Sequence, residues 1–268
     1  MIVAGPNSEK GQAAVLKIQS QVPDARVRFE LLDLASLGSV AALAGRLTQD
    51  NRPVDLLINN AGVFALPERL VTEDGFERQL ATNYLGHYAL TARLLPLLRR
   101  GAGPRVIQVS SHYHKHGRIH FDDLHGERRY RPWAAYGHSK LAVLLFSFEL
   151  QRRSDTLGWG LRAIAVHPGY ARTGLIPNGL GPDALVSRLS GSVGRILSQP
   201  AACGAWPSLF AATSADAAPG GYYGPTGFLE FTGPPGPGTI GKRALDTDVA
   251  RRLWGVSEGL TGVKWPEN

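Results

Sequence analysis

Short apolar runs alternate along the chain with longer stretches in which apolar side chains recur at helical spacing. The runs predict strands, among them VRFELLDL, VDLLINNAG, RVIQVSS and LRAIAVHPG. The longer stretches predict helices, at residues 36–47, 73–98 and 133–157 and at DVARRLWGVSEGL near the end. Such alternation is typical of a parallel sheet with helices on both faces. We therefore expect an α/β fold in a single domain that covers residues 1–268.

Residues 175–200 depart from this alternation, because no strand-like run lies directly before them. Apolar side chains recur there at every fourth position and give the segment one apolar helical face, at Leu185, Leu189, Val193 and Leu197. Two interpretations fit this pattern equally. The segment is either a cover over the substrate site, the interpretation adopted here, or an ordinary core helix.

Composition excludes several classes of protein. The single cysteine, Cys203, cannot form a disulfide within the chain, which points to a reducing compartment. No apolar run approaches the roughly 20 residues that a membrane span needs, and the start shows no export signal. We therefore expect a cytoplasmic protein without a membrane span. The net charge of +7 comes from scattered arginines rather than a basic stripe, which disfavours a nucleic-acid partner.

Tyr136 and Lys140, in YGHSK, lie one helical turn apart and therefore on the same face of a predicted helix. A free phenol, with a pKa of about 10, is a poor acid or base at neutral pH. A cation one turn away favours the phenolate, and we expect it to lower that pKa towards the range of efficient proton transfer. The same spacing is common on solvated helices, so the assignment depends on other residues.

Further polar positions follow the predicted strands where those strands end. Ser111 ends RVIQVSS, Asn60 follows VDLLIN, and His167 opens HPGYART after a later strand. Ligands bind at the carboxyl ends of parallel strands, so we expect these positions to meet Asn83, from ATNYLGHY, at one edge of the sheet. Each also has an ordinary interpretation, as a helix cap, a turn residue or a surface amide. Their joint occurrence favours a catalytic site.

The ordered motifs LDLAS, NNAG, ATNYLGHY, VSS, YGHSK and HPGYART resemble those of the short-chain dehydrogenase/reductase family over nearly the whole chain. The stretch between Ser111 and Tyr136 and the ending ARRLWGVSEGLTG are similar to its retinol-dehydrogenase-like branch. The resemblance implies a Rossmann-like, doubly wound parallel sheet. It also implies an NAD(P)-dependent oxidoreductase that interconverts a small apolar alcohol and its carbonyl compound, and it leaves a homo-oligomer open.

The resemblance assigns a role to each matching residue. Tyr136 would be the general acid/base, and Lys140 would lower its pKa and bind the nicotinamide ribose. Ser111 would polarise the substrate carbonyl, and Asn83 would hold a relay water. The cofactor-binding residues would be Asp33, Leu34, Asn60, Ala61, Gly62, Tyr136, Lys140, Pro168, Gly169 and Thr173.

The choice between NAD and NADP depends on the turn after the first strand. An acid at Gly5 would bind the ribose hydroxyls of NAD, and an arginine at Pro6 would bind the phosphate of NADP. Neither is present, so the preference stays open, with a lean to NADP from the resemblance.

The histidines after Ser111 raise the question of a metal. His112, His114 and His116 alternate, with His120 nearby, and on a strand the first three would share one side. No acid or thiol has a fixed spacing to them, and the related family loop is normally free of metal. We therefore expect no metal site.

The family begins with a strand, a TGxxxGxG turn and a helix whose amide groups bind the pyrophosphate. This sequence contains no such motif, and MIVAGPNSEKG matches the family's second strand instead. We expect about one strand-helix unit, roughly 30 residues, to be missing before Met1, so that two strands lose a partner or pair directly. We favour a misassigned or truncated start. The alternative is a degenerate, non-catalytic nucleotide-binding or interaction protein on the same scaffold.

Overall fold

The strands form separate sheets in a computed structural model that describes residues 1–172 and 198–266. The larger sheet has five strands in the order β3-β4-β5-β8-β9, parallel except for β9, and β1 pairs with β2 and β6 with β7 in two further parallel pairs. The strands are β1 (Ile2–Gly5), β2 (Arg28–Leu31), β3 (Leu56–Asn59), β4 (Arg105–Val109), β5 (Arg162–Val166), β6 (Ala171–Arg172), β7 (Gln199–Pro200), β8 (Tyr222–Pro225) and β9 (Pro235–Pro237).

Helices connect these strands. They are α1 (Ser8–Gln21), α2 (Leu37–Asp50), α3 (Arg78–Leu80), α4 (Gly86–Leu98), α5 (Pro132–Leu157), α6 (Ala201–Gly204), α7 (Trp206–Thr213) and α8 (Thr247–Thr261). A π-helix, Ala81–Leu85, joins α3 to α4, and 3₁₀ turns occupy His112–His116, Phe228–Glu230 and Lys242–Leu245.

The core lies on both faces of the five-stranded sheet. Val106 of β4 and Ala163 of β5 are fully buried in the cluster that includes side chains of α4, α5 and α8. Their neighbours Ile107 and Ile164 point to the other face, where they pack with Ala211 of α7. Strands buried on both faces by helices confirm the predicted α/β, Rossmann-like fold.

Local chemistry sets the helix boundaries. Ser36 caps α2 as predicted, because its side chain accepts a hydrogen bond from the Ser39 amide. The helix predicted at residue 73 begins instead at Arg78, since the Glu77 carboxylate accepts from the two amides that open it and the preceding residues form a turn. The start predicted at residue 133 is wrong by one position, because Pro132 occupies the first helical position.

The predicted gap in the sheet is present among the described residues. There, β1 and β3 do not pair with each other, and each has a strand partner on one edge only. Large apolar side chains on both strands are therefore partly exposed, with Ile2 at 41%, Leu56 at 41% and Ile58 at 40%. Strands β1 and β2 therefore form a sheet of their own and do not continue the five-stranded sheet.

Some predictions fall outside the described residues. Thr173 is not among them, and of the predicted cover at 175–200 only residues 198–200 are. Among the helices that are described, none combines the length and the apolar character needed to cross a membrane.

Candidate active site

Tyr136 and Lys140 lie on α5 with their side chains buried, at 5% and 4% exposure. The Lys140 ammonium donates to the backbone oxygen of Val109 at 2.9 Å, and the Ser110 hydroxyl donates to the backbone oxygen of Lys140 at 2.8 Å. These two bonds join the carboxyl end of β4 to the first half of α5. The pair is therefore part of a packed interior and not of a solvated helix face.

Ser111 caps the turn that follows it and also lies beside Tyr136. It caps the His112–His116 turn, because its Oγ accepts from the Tyr113 amide at 3.1 Å. The same side chain lies close enough to the Tyr136 hydroxyl to lower the pKa of the tyrosine. The serine is thus fixed by the turn that follows it while it faces the tyrosine.

The expected lowering of the tyrosine pKa is wrong for this structure. Burial raises the pKa of Tyr136 to about 12, and the nearby Ser111 side chain offsets only part of this rise. The Lys140 ammonium lies 5.9 Å from the centre of the tyrosine ring and is bonded to a backbone carbonyl, and it does not offset this rise. Burial also lowers the pKa of Lys140 itself, to about 8. For the pKa of Tyr136, the effect of burial therefore outweighs the effect of a lysine one helical turn away.

Asn83 lies within the π-helix, a form that often marks functional sites. Its side-chain NH₂ donates to the Val63 carbonyl at 3.0 Å and to the Ser139 hydroxyl at 2.9 Å, and its oxygen accepts from the Val63 amide at 2.7 Å. The amide is therefore occupied by protein groups rather than exposed, as a surface amide would be. It ties the loop after β3 to α5 beside the catalytic pair.

The residues predicted to line the nucleotide pocket lie at the same edge of the sheet. Asn60 and Ala61 are exposed after β3, and a Cβ on Gly62 would come within 2.9 Å of the Asn83 side-chain oxygen and 3.4 Å of the Lys140 ammonium nitrogen. Only a glycine therefore lets the backbone pass this close to the catalytic residues.

Two further groups of predicted residues flank this edge. The Asp33 carboxylate accepts from the Ala35 amide at 2.9 Å, and Leu34 beside it is buried. Gly169, after Pro168, has a φ of +65°, and a Cβ there would lie 2.3 Å from the Phe231 carbonyl oxygen.

The site fits a nicotinamide nucleotide in part. Lys140 and the loop at residues 60–62 would hold the nicotinamide and its ribose. The backbone at Gly62 passes close to the buried Lys140 ammonium, which supports this placement. The turn after β1 is Gly5-Pro6-Asn7, in which the proline has no amide donor and the asparagine side chain caps α1. The sequence thus carries no glycine-rich cradle for the pyrophosphate.

Aromatic side chains that the sequence analysis did not single out surround Tyr136. Phe64 packs edge-on against its ring at 4.7 Å between centroids, and Tyr113 lies at 6.0 Å. Trp133 contacts both of these neighbours, at 5.0 and 5.1 Å. An open cleft of about 370 Å³ lies beside them, lined in part by Tyr113 and Trp133. Trp133, one turn before Tyr136 on α5, was the signal that could have indicated this wall.

The histidines after Ser111 do not share one side, because they form a 3₁₀ turn and not a strand. His114 is buried, with its Nδ1 2.7 Å from the Ser111 carbonyl oxygen and its Nε2 accepting from the Gly241 amide at 3.0 Å. Burial lowers the pKa of His114 to about 4. His116 is exposed.

Comparison with known proteins gives concordant matches. A sequence model of the family described as short chain dehydrogenase matches residues 1–178. Human (Homo sapiens) retinol dehydrogenase 13 is 38% identical over 270 residues, covering 99% of this chain and 78% of that protein. Mouse (Mus musculus) polyprenol dehydrogenase is 38% identical over 269 residues, covering 98% of this chain and 76% of that protein.

Solved structures agree. An uncharacterized protein from Mycobacterium paratuberculosis has a TM-score of 0.79 and 38% identity, covering 99% of this chain and 85% of that one. An NADPH-bound short chain oxidoreductase from Pseudomonas aeruginosa has a TM-score of 0.61 and 17% identity, covering 82% and 83% of the two chains, a likeness of fold alone.

Proposed function

Since the chain belongs to the short-chain dehydrogenase/reductase family, we propose that it interconverts an apolar alcohol and its carbonyl compound, with Tyr136 as the general acid/base. The chain is an oxidoreductase that uses NAD(P), similar to the retinol dehydrogenases. The observation that carries the proposal is the buried contact of Tyr136 with Ser111, next to Lys140 and Asn83.

The cofactor supplies the hydride when it is bound. In carbonyl reduction the Tyr136 hydroxyl gives its proton to the carbonyl oxygen while the carbonyl carbon gains the hydride. The Ser111 hydroxyl donates a hydrogen bond to the same oxygen and stabilises the charge that develops there. Burial favours the neutral phenol, the form that donates the proton. The Lys140 ammonium, which lies one helical turn from Tyr136, stabilises the phenolate that is left behind.

An apolar substrate is supported by the walls of the cleft. Phe64 and Tyr113 pack against the Tyr136 ring, and Tyr113 and Trp133 line the cleft beside it. Aromatic surface of this kind binds apolar groups. Retinol and polyprenol, which appear in the names of the relatives, are apolar alcohols. Retinaldehyde is therefore a suitable first probe.

For the cofactor we propose NADP over NAD. Gly5 ends β1 and Pro6 follows it, so no carboxylate at these positions repels the 2′-phosphate of NADP. The cytoplasmic location and the absence of a metal stay predictions, and the oligomeric state stays open.

The decisive experiment is reduction of retinaldehyde with NADPH by the wild type and by Tyr136→Phe. We expect kcat to fall by roughly two orders of magnitude in the variant, with NADPH binding nearly unchanged, because the phenol proton is needed only in the chemical step. Tyr223→Phe is the matched control, since the hydrogen bonds that its hydroxyl makes to described residues are with the backbone of Ala218 and Asp216. Equal turnover in the wild type and Tyr136→Phe would remove Tyr136 from the mechanism.

A second candidate function is nucleotide binding without catalysis. It is favoured by one observation: the pKa of Tyr136 is raised, and the Lys140 ammonium is bonded to the Val109 carbonyl. Binding of NADPH without turnover of any apolar aldehyde or alcohol would support it.

A further inference from the structure

The turn that carries Glu230 has a strained backbone. Leu229 and Glu230 have φ values of +50° and +58°, a conformation that costs energy for residues other than glycine. Strain of this kind persists only where surrounding contacts hold it in place, and it often occurs at functional sites. The contacts of the Glu230 carboxylate therefore call for an explanation.

The Glu230 carboxylate joins segments that are far apart in sequence. Its Oε1 accepts hydrogen bonds from the amide of Thr239 at 2.9 Å and from the hydroxyl of the same residue. Its Oε2 lies 3.2 Å from His167 Nε2, at the end of β5. The same oxygen lies 3.4 Å from His112 Nδ1 and 3.6 Å from Lys115 Nζ, both on the turn that follows Ser111.

Charge in this group is balanced by Lys115. Burial lowers the pKa of His167 to about 4 and also lowers that of His112, so both rings are neutral at neutral pH. Partial burial acts to raise the pKa of Glu230, but the Thr239 hydrogen bonds and the Lys115 ammonium outweigh it and keep the carboxylate ionised. Side-chain exposure is 16% for Glu230 and 24% for Lys115, so this ion pair is less screened than an exposed one.

The same atoms are close enough for a metal ion. The ligand atoms of His112, His167 and Glu230 lie within 4.8 Å of one another, the one such group among the described residues. The Gly169 amide, however, donates to His167 Nδ1 at 3.4 Å, which places the proton of the neutral ring on Nε2, facing Glu230. The Lys115 ammonium balances the charge of Glu230 without a metal, although His167 Nε2 and Glu230 Oε2 make no hydrogen bond among the described residues.

We propose that Glu230 is a positioning residue for Ser111. Through Lys115 and His112 it holds the His112–His116 turn, and the Tyr113 amide in that turn fixes the Ser111 hydroxyl. Loss of the carboxylate charge frees the turn, and the Ser111 hydroxyl then leaves the geometry in which it meets Tyr136 and the substrate oxygen. The inference rests on the proposed function, because it concerns the serine of that reaction.

The test is Glu230→Gln, which keeps the size of the side chain and an oxygen for Thr239 but removes the charge. We expect kcat for retinaldehyde reduction to fall roughly tenfold, with KM for NADPH nearly unchanged, because a small displacement of a catalytic group acts on the chemical step. Lys115→Met should show a similar fall, and the double variant should be no worse than either single one. Glu68→Gln, at an exposed position without an ion pair among the described residues, is the control.

The outcomes separate the two hypotheses. A wild type without turnover of any apolar carbonyl overturns the proposed function and this inference with it. An active wild type with equal kcat in Glu230→Gln and Glu68→Gln overturns the inference alone. So does a loss in which KM for NADPH rises as much as kcat falls, which would indicate general damage. Stoichiometric binding of Zn²⁺ by the wild type but not by Glu230→Gln, in calorimetry, would replace the ion pair with a metal centre.

Discussion

Strands β3 and β4 each carry an isoleucine at paired positions, Ile58 and Ile107, and the two side chains differ in solvent exposure. Ile107 is fully buried, whereas Ile58 is 40% exposed, although the strands run side by side in register. The cause is the neighbour on the far side, since β4 lies between two strands and β3 has a strand on one edge only. The burial of an apolar strand thus depends on the strands beside it and not on its own sequence of apolar residues.

The same contrast separates the two halves of the site. Tyr136 and Lys140 are held in the interior by bonds to β4 and by packing of α5. Asn60 and Ala61 are exposed at the end of β3, beside the gap in the sheet. The half of the site that contains Tyr136 and Lys140, the chemical half, is therefore held in place by the packed interior. The half that contains Asn60 and Ala61, the nucleotide half, lies at an exposed edge of the sheet.

The largest expected effect compares the paired isoleucines directly. Ile107→Ala should lower the free energy of unfolding by about 2–5 kcal/mol, because it leaves a cavity between β4 and α7. Ile58→Ala, the matched control, should cost less than about 1 kcal/mol, since much of its side chain is already in water. Urea unfolding of both variants measures this, and equal losses would show that β3 is as buried as β4 in solution.

Lys140→Ala tests both halves of the site, because Lys140 is expected to stabilise the Tyr136 phenolate and to bind the nicotinamide ribose. We expect turnover to fall roughly 100-fold and NADPH binding to weaken several-fold, measured by steady-state kinetics and fluorescence titration. Lys17→Ala, at an exposed position on α1, is the control. Normal NADPH affinity in Lys140→Ala would show that the ammonium does not touch the ribose.

Filling the gap tests the nucleotide half. A fusion that adds a strand, a TGxxxGxG turn and a helix before Met1 should bind NADPH at least roughly tenfold more tightly, because it adds amide donors for the pyrophosphate. A fusion of equal length without the glycines serves as the control. Equal micromolar affinity in the fusion and the given chain would mean that this chain binds phosphate by another route.

Acid should lower the free energy of unfolding, because four buried histidines must take up protons. Burial lowers the pKa of His87, His114, His138 and His167 to about 4, from 6.5. Between these values the unfolded chain binds more protons, so the stability is fully present above about pH 6.5 and is lost as the pH falls towards 4. Each proton taken up costs about 1.4 kcal/mol per pH unit in that window. A free energy of unfolding that is flat from pH 7.5 to 5 would contradict this.

The order of strands and helices and the candidate catalytic residues followed from the sequence, because local patterns carry both; the catalytic role of Tyr136 stays a prediction. Strand and helix periods differ, Ser36 is a helix cap, and Tyr136 and Lys140 lie one turn apart on α5. The motifs also identified the family and indicated that β1 and β3 would lack a strand between them.

Tertiary structure alone decided the rest, because it concerns contacts between residues distant in sequence. Burial by α5 and β4 raises the pKa of Tyr136, against the lowering that the nearby lysine predicts. Asn83 is occupied by the loop after β3 and by Ser139, which no spacing in the sequence indicates. Glu230 meets Lys115 because the turns after the parallel strands β4 and β8 lie at the same edge of the sheet. Desolvation and ion pairing depend on which side chains surround a group, and that is settled only when the chain has folded.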